Sequence, residues 1–473
     1  MTDPRPATPD APVQVVSLYQ KQATIQARSV QGWYTNWRWV LVALTQLLFY
    51  GAPWLAWNGR QLVLFDLAAR RFYLGGLVLY PQDFIYLTGL LVLSAYALFF
   101  FTAVAGRLWC GYACPQTVYT EIFMWIERRF EGDRSARLRL DGAPWTREKL
   151  LRRGGKHLAW LVVAMWTGFT FVGYFTPIRS LWHEAFTLDF GPWEWFWVNF
   201  YAFATWGNAG FMREQVCKYM CPYARFQSAM FDRDTLVIGY DAGRGEPRGP
   251  RARDVATRTQ GDCIDCKLCV QVCPTGIDIR DGLQYECIGC AACVDACNGV
   301  MDKVGYARGL VRYSTENAME QAWPQAQIWR RVLRPRVLVY GVVLLLIAAL
   351  VAGSIALRKP FRVDVLRDRS SLARLVEHGR IENLYRLQIM NATETPQQYL
   401  ISAEGLDGIA VSERQAIEVD PAAARWVAVH TQVPPETAAR VAPGVHAIHF
   451  VVTRVDSTER DEVREKSTFI LPY

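Results

Sequence analysis

The sequence predicts a multi-domain chain: an α-helical membrane bundle of five spans, a small cysteine-rich α+β insert on its cytoplasmic side, and a C-terminal all-β sandwich. Three observations carry this. Five stretches lack Asp, Glu, Lys and Arg and are long enough to cross a bilayer as helices. All twelve Cys fall in short-range clusters. The region after the last apolar stretch carries short alternating runs separated by Pro, Gly and Asp. Composition agrees, since 51% hydrophobic and 20% charged residues exclude a disordered or fibrous chain.

The apolar stretches are 39–57, 84–105, 158–176, 195–212 and 337–357. The fourth is the weakest, being short and carrying Asn199 and Asn208, but aromatic residues cluster at its start as interface anchors do. Residues 1–38 are polar with no early apolar core, so the first span should stay as an anchor. Orientation follows the Lys/Arg bias. Loop 106–156 holds eleven basic residues and segment 213–336 holds eighteen, against three in 58–82 and Arg179 alone in 177–193. The two basic regions and the N-terminus are therefore expected inside, and 358–473 outside. Beside spans, such runs read as topology signals and not as nucleic-acid patches.

The chain then divides into an N-terminal segment 1–38, a four-span region 39–230, a linker 231–260, a cysteine cassette 261–300, a basic connector 301–336, the fifth span 337–357 and the β domain 358–473. The linker is rich in Gly, Pro and Arg, most of all over 241–260, and matches no nucleotide-binding fingerprint. In the β domain, Tyr385, Leu387 and Ile389 should share one strand face. His446 and His449, three apart on a strand, should point to opposite faces and read as structural.

The cassette carries two runs, Cys263-Ile-Asp-Cys266-Lys-Leu-Cys269-Val-Gln-Val-Cys273 and Cys287-Ile-Gly-Cys290-Ala-Ala-Cys293-Val-Asp-Ala-Cys297. Each has the C-x₂-C-x₂-C-x₃-C spacing of bacterial two-cluster ferredoxins, in which the fourth Cys of a run ligates the other cluster. Cys263, Cys266, Cys269 and Cys297 should hold one [4Fe–4S] cluster, and Cys273, Cys287, Cys290 and Cys293 the other. Zinc sites use four ligands with a longer central gap, and disulfides do not suit a cytoplasmic location.

The remaining four Cys form two copies of C-x-Y-x-C-P: Cys110-Gly-Tyr112-Ala-Cys114-Pro115 after the second span and Cys217-Lys-Tyr219-Met-Cys221-Pro222 after the fourth. The first four spans thus read as two parallel repeats, each ending in a dithiol. On a helix the two sulfurs of a copy would share a face, with Pro disturbing the helix just beyond. Four thiolates brought together suit copper, iron or a further iron–sulfur centre, and a reversible disulfide is equally permitted. Packing is the alternative, whereas the flanking Met212 and Met220 could add thioether ligands but read as packing residues. His183 reads as an interface residue.

These features together resemble the cytochrome c oxidase accessory protein family CcoG, also called FixG or RdxA, from about residue 30 to the end. The paired C-x-x-x-C-P also occurs in membrane ferredoxins of the NapH and NosR type; the β domain after a fifth span separates the families, since NapH-like proteins lack it. The resemblance implies an immunoglobulin-like C-terminal domain in the periplasm of a bacterial inner-membrane protein. It also implies a cupric reductase serving assembly of cbb3-type cytochrome c oxidase, with copper ions, oxidase subunits or assembly factors, and an unidentified electron donor as partners. The competing functions are a NapH-like quinol-oxidising module and a non-catalytic assembly scaffold.

Overall fold

Five long helices contain most of the apolar stretches: Trp33–Gly51, Phe84–Ala105, Arg147–Val172, Pro192–Gly207 and Pro335–Ala356. The computed structural model describes residues 24–250, 260–368, 373–413, 415–455 and 461–472; the start of the polar N-terminal segment and positions 251–259 of the expected linker lie outside the described residues. Two helical segments, Pro81–Ala105 and Pro335–Ala356, are long and apolar enough to cross a membrane. The first helix ends before its apolar stretch does, the chain tightening into a turn at Ala52–Trp54 around Pro53. The fourth runs on into a π-helical turn, Asn208–Met212.

The two apolar helices lie antiparallel. Val351 covers Gly89, Phe100 covers Gly341, and the Tyr86 hydroxyl donates to the Ser354 carbonyl at 3.2 Å. Arg147–Val172 crosses Pro192–Gly207 at Gly168, where an added Cβ would lie 2.3 Å from the Val198 carbonyl oxygen. A small residue at a crossing lets two backbones approach.

The chain after Pro335–Ala356 forms two antiparallel sheets. One holds Phe361–Arg367, Ile381–Asn391 and Ala424–Val433, and the other holds Gln397–Glu404, Gly444–Arg454 and Glu462–Leu471, with short strands at the edges. Tyr385, Leu387 and Ile389 are fully buried on one inner face and meet Tyr399, Ile448, Phe450 and Phe469 of the other sheet. The inward alternation read from the sequence is therefore the sandwich core. His449 has its neighbours Ile448 and Phe450 pointing inward, and His446 Nε2 lies 2.8 Å from the Ala442 carbonyl.

This sandwich packs on a three-stranded sheet, Val63–Asp66, Arg71–Leu74 and Leu77–Leu79, through Leu64, Tyr73, Val78, Tyr80, Met390 and Ala422. The cysteine cassette lies at the other end of the apolar helix pair. There Arg334 donates to the Ala103 carbonyl at 2.8 Å and pairs with Asp232. The cassette unit reaches past 261–300. Val237–Tyr240, within the expected linker, pairs antiparallel with Val311–Ser314 from the expected basic connector. Their alternating apolar residues, Ile238, Tyr240 and Val311, cover the cassette core, a role that cysteine spacing does not signal.

Candidate metal centres

The two cysteine runs fold alike. Each begins as a loop and ends in a helix, Leu268–Gln271 in the first and Ala292–Val304 in the second. Each loop turns twice through the left-handed region, at Asp265 and Lys267 in the first run and at Gly289 and Ala291 in the second. Three of these are not glycine, at a cost of about 1–2 kcal/mol each. Such conformations persist where the surroundings over-determine them, here by wrapping three cysteines round one space.

Two cavities result. Cys263, Cys266, Cys269 and Cys297 line the first, with Tyr240, Leu268, Met301 and Val311 as apolar walls. Cys273, Cys287, Cys290 and Cys293 line the second, together with Cys269 and Ile288. The fourth cysteine of each run thus stands in the other run's cavity. Burial pushes the Cys269 thiol up to about 11 and those of Cys287 and Cys297 up to about 12. Bare thiols here hold their protons at neutral pH, and bound iron would supply the charge that makes them thiolates. Among the described residues no three His, Cys, Asp or Glu side chains converge on a single ion. The ligands of a cubane each address a different iron atom, so the spread donor set suits a cluster better than one metal ion.

The two C-x-Y-x-C-P copies depart from one continuous helical face. Pro lacks an N–H and is at home in the first turn of a helix, so Pro115 and Pro222 each open a new helix, Pro115–Glu131 and Pro222–Met230. Cys114 and Cys221 are the extended residues that cap them, while Cys110 lies in the turn Leu108–Tyr112 and Cys217 in the π-helical turn Val216–Met220. The four sulfurs still form one neighbourhood. Burial raises Cys110, Cys114 and Cys217, the last to about 12, and electrostatic interactions link all four. Cys114 also accepts the backbone N–H groups of Gln116 and Thr117, and Cys110 Sγ lies 3.2 Å from Gln227 Oε1 on the second copy's helix. Met220 is 57% exposed, so it does not pack into the core of the described residues. His183 is exposed as well.

The cassette and the four-cysteine site touch. An added Cβ on Gly111 would lie 2.8 Å from the Ile288 carbonyl oxygen and 3.0 Å from Cys290 N, and one on Gly289 3.3 Å from the Arg107 carbonyl. Cys110 packs on the apolar cluster that contains Cys290 and Cys293.

Comparison with known proteins agrees with this architecture. A family model described as an IG-like fold at the C-terminal of FixG matches residues 351–472. The chain is 37% identical over 423 residues to nitrogen fixation protein FixG of Rhizobium meliloti, covering 82% of this chain and 80% of that one. The chain belongs to the FixG/RdxA family. Protein RdxA of Cereibacter sphaeroides is 38% identical, over 83% of this chain and 84% of its own. RdxB of the same organism is 40% identical, over 84% and 86%. A crystal structure of a FixG-related protein from Vibrio parahaemolyticus covers 24% of this chain and 97% of its own, with 26% identity and a TM-score of 0.21.

Two further family models bear on the metal centres. A 4Fe-4S dicluster domain matches 212–316, spanning both cysteine runs and the second C-x-Y-x-C-P. A 4Fe-4S binding domain matches 87–132, spanning the first. This FixG/RdxA member is therefore an iron–sulfur electron-transfer protein, and its two apolar helices together with the family mark it as a membrane protein. Sequence reasoning missed Arg107 and Gly111. Only their positions beside one Cys of the first copy could have drawn attention to them.

Proposed function

We propose that this chain is a membrane-bound cupric reductase acting in the assembly of cbb3-type cytochrome c oxidase. Cys263, Cys266, Cys269 and Cys297 would hold one [4Fe–4S] cluster, and Cys273, Cys287, Cys290 and Cys293 the other. The clusters supply one-electron carriers when bound. The observation that carries the reading is the contact of the Cys110–Cys114 turn with the Ile288–Cys290 loop, which sets a four-thiol site against a cluster cavity. Cys110, Cys114, Cys217 and Cys221 would take copper as substrate, two thiolates at a time, since no three converge on one ion among the described residues. Soft thiolates favour Cu(I) over Cu(II), so one electron from the cassette completes the reduction. Five spans, a cytoplasmic cassette and a periplasmic sandwich in the bacterial inner membrane complete the proposal, with the sandwich free to meet oxidase subunits.

Anaerobically purified protein should contain about eight iron atoms per chain. Reduced with dithionite and freed of the excess reductant, it should convert Cu(II) to Cu(I), trapped by a Cu(I)-specific chelator. Replacing Cys110 and Cys114, or Cys217 and Cys221, by Ser should abolish this while the cassette iron stays. Wild-type copper turnover in either double variant would sink the reading.

A second reading has its own support, because the 4Fe-4S binding model over 87–132 contains only the Cys110 and Cys114 pair. The four-cysteine site would then hold a third cluster. Iron would rise to about twelve per chain and fall by about four in each double variant.

A further inference from the structure

Four arginines are buried among the described residues: Arg38, Arg107, Arg137 and Arg213. A buried charge is costly unless it is paired. Arg38 pairs with Glu121 at 2.9 Å, while Arg137 and Arg213 pair with Glu127 at 2.5 and 3.1 Å. Arg107, 4% exposed, has no carboxylate partner among the described residues. Its Nη1 donates to the Tyr285 carbonyl, and its Nε has no hydrogen-bond partner. What it faces instead is sulfur. Its own backbone lies against Gly289, two residues past Cys287, and its charge interacts electrostatically with Cys110, Cys114 and Cys217 on one side and with Cys287 on the other.

The first cavity is served differently. Arg280 lines it, and that charge is balanced by Asp265 and Asp278, each at 2.6 Å. The guanidinium at the first cavity is therefore neutralised by carboxylates, whereas Arg107, held behind the second cavity at Tyr285 and Gly289, is not. Cys266, in the first cavity, is also the one exposed cysteine among the twelve.

We propose that Arg107 is a positioning residue, the counter-ion shared by the cluster of Cys273, Cys287, Cys290 and Cys293 and by an anionic centre at the four cysteines. A fixed positive charge stabilises the more negative, reduced state, so it raises the potential of the nearer cluster above that of the cluster of Cys263, Cys266, Cys269 and Cys297. A low-potential one-electron donor, such as a reduced flavin or ferredoxin, would be oxidised at the exposed Cys266 side; each electron would move to the higher-potential cluster and pass across the Gly111 contact to an oxidised metal centre at the four cysteines, which is reduced by one electron. This rests on the cluster assignment proposed above, but does not require that copper be the acceptor.

The test is a redox titration of the full-length protein, anaerobic in detergent, followed by EPR and paired with iron analysis. Arg107→Gln should lower the higher of the two cluster midpoints and leave the lower one in place, at unchanged iron content. Arg107→Lys, which keeps the charge, should return the midpoint toward wild type. Unmoved midpoints in Arg107→Gln, or a shift confined to the lower one, overturn the proposal. If Arg107→Gln loses iron, Arg107→Lys decides. Iron and wild-type midpoints retained would support a requirement for charge, whereas iron lost from both would make Arg107 merely structural. A wild type that reduces no copper would end the cupric-reductase reading and leave this comparison standing.

Discussion

Gly111 shows how much one missing side chain can decide. It is the second residue of the first C-x-Y-x-C-P, and the same place in the second copy is Lys218. An Ala at 111 would drive its Cβ to 2.8 Å from a backbone oxygen of the Ile288–Cys290 loop. Backbone cannot rotate away as a side chain can. Gly111→Ala should therefore cost about 1–3 kcal/mol as overpacking and push the dithiol turn off the cassette. The expected result is a lower unfolding temperature and slower electron passage from cassette to acceptor, measured by stopped flow, at normal iron content. Lys218→Ala, which meets no such loop, should stay within about 0.5 kcal/mol of wild type. The two tyrosines of the motif differ in the same sense: Tyr112 is 8% exposed and Tyr219 61%. The repeat is legible as spacing. Its asymmetry is not, because only the folded chain determines that the first copy packs backbone to backbone on the Ile288–Cys290 loop while Cys217 of the second shares a cavity with Pro274, Thr275 and Ile288.

Elements show where charge reading succeeds and where it stops. Counted along the sequence, Arg137, Lys156 and Arg213 are topology signals. In the fold all three are buried and converge on Glu127 of the Pro115–Glu131 helix, with Lys156 reaching Glu131 at 2.8 Å as well. Partners as far apart as 127 and 213 leave no local pattern, so no spacing rule could have joined them. Arg213 also donates to the Gly210 carbonyl at 3.0 Å, and its ion pair with Glu127 ties the chain ahead of Cys217 to the helix opened by Pro115. Burial by itself would push the Glu127 carboxyl up, but Arg213 and Arg137, with Lys156, hold it below its ordinary value. A depressed folded pKa gives stability that is present above the unfolded value and lost as pH falls through the folded one. Glu127→Gln should cost about 3–5 kcal/mol at neutral pH, because it leaves buried cations unpaired. The gap between variant and wild type should narrow only in strongly acidic buffer, as followed by thermal unfolding from pH 7 downward. A gap that stays constant as acid protonates the carboxylates would show that shape, not charge, is what Glu127 supplies.

At the scale of the whole molecule, the cassette cysteines and the β-strand alternation were legible because each obeys a short-range rule: thiolate spacing in one, period two in the other. The helices were legible as apolar runs, but among the described residues only two of the folded helices are long and apolar enough throughout to cross a membrane. What joins the parts is long-range. Asp83, at the head of the Phe84–Ala105 helix, has a fully buried side chain and pairs with Arg362 at 2.9 Å and Arg358 at 3.7 Å, just past the end of Pro335–Ala356. The Tyr80 hydroxyl donates to the Asn391 carbonyl at 2.8 Å. The sandwich is thereby fastened at one end of the antiparallel pair, while Arg334 fastens the cassette at the other. If that pair crosses the bilayer, cassette and sandwich must face opposite compartments, and the Arg-rich flank before Pro335 places the cassette inside. Alkaline phosphatase fused at the C-terminus should then be active, and the same enzyme fused near Lys303 inactive. Activity at both junctions would mean that the pair does not cross; activity at Lys303 alone would invert the protein. Asp83→Asn adds a check that orientation alone cannot satisfy. It removes the charge that two arginines share and should make the sandwich easier to cleave from the membrane region by limited proteolysis, with the iron content of the distant cassette unchanged.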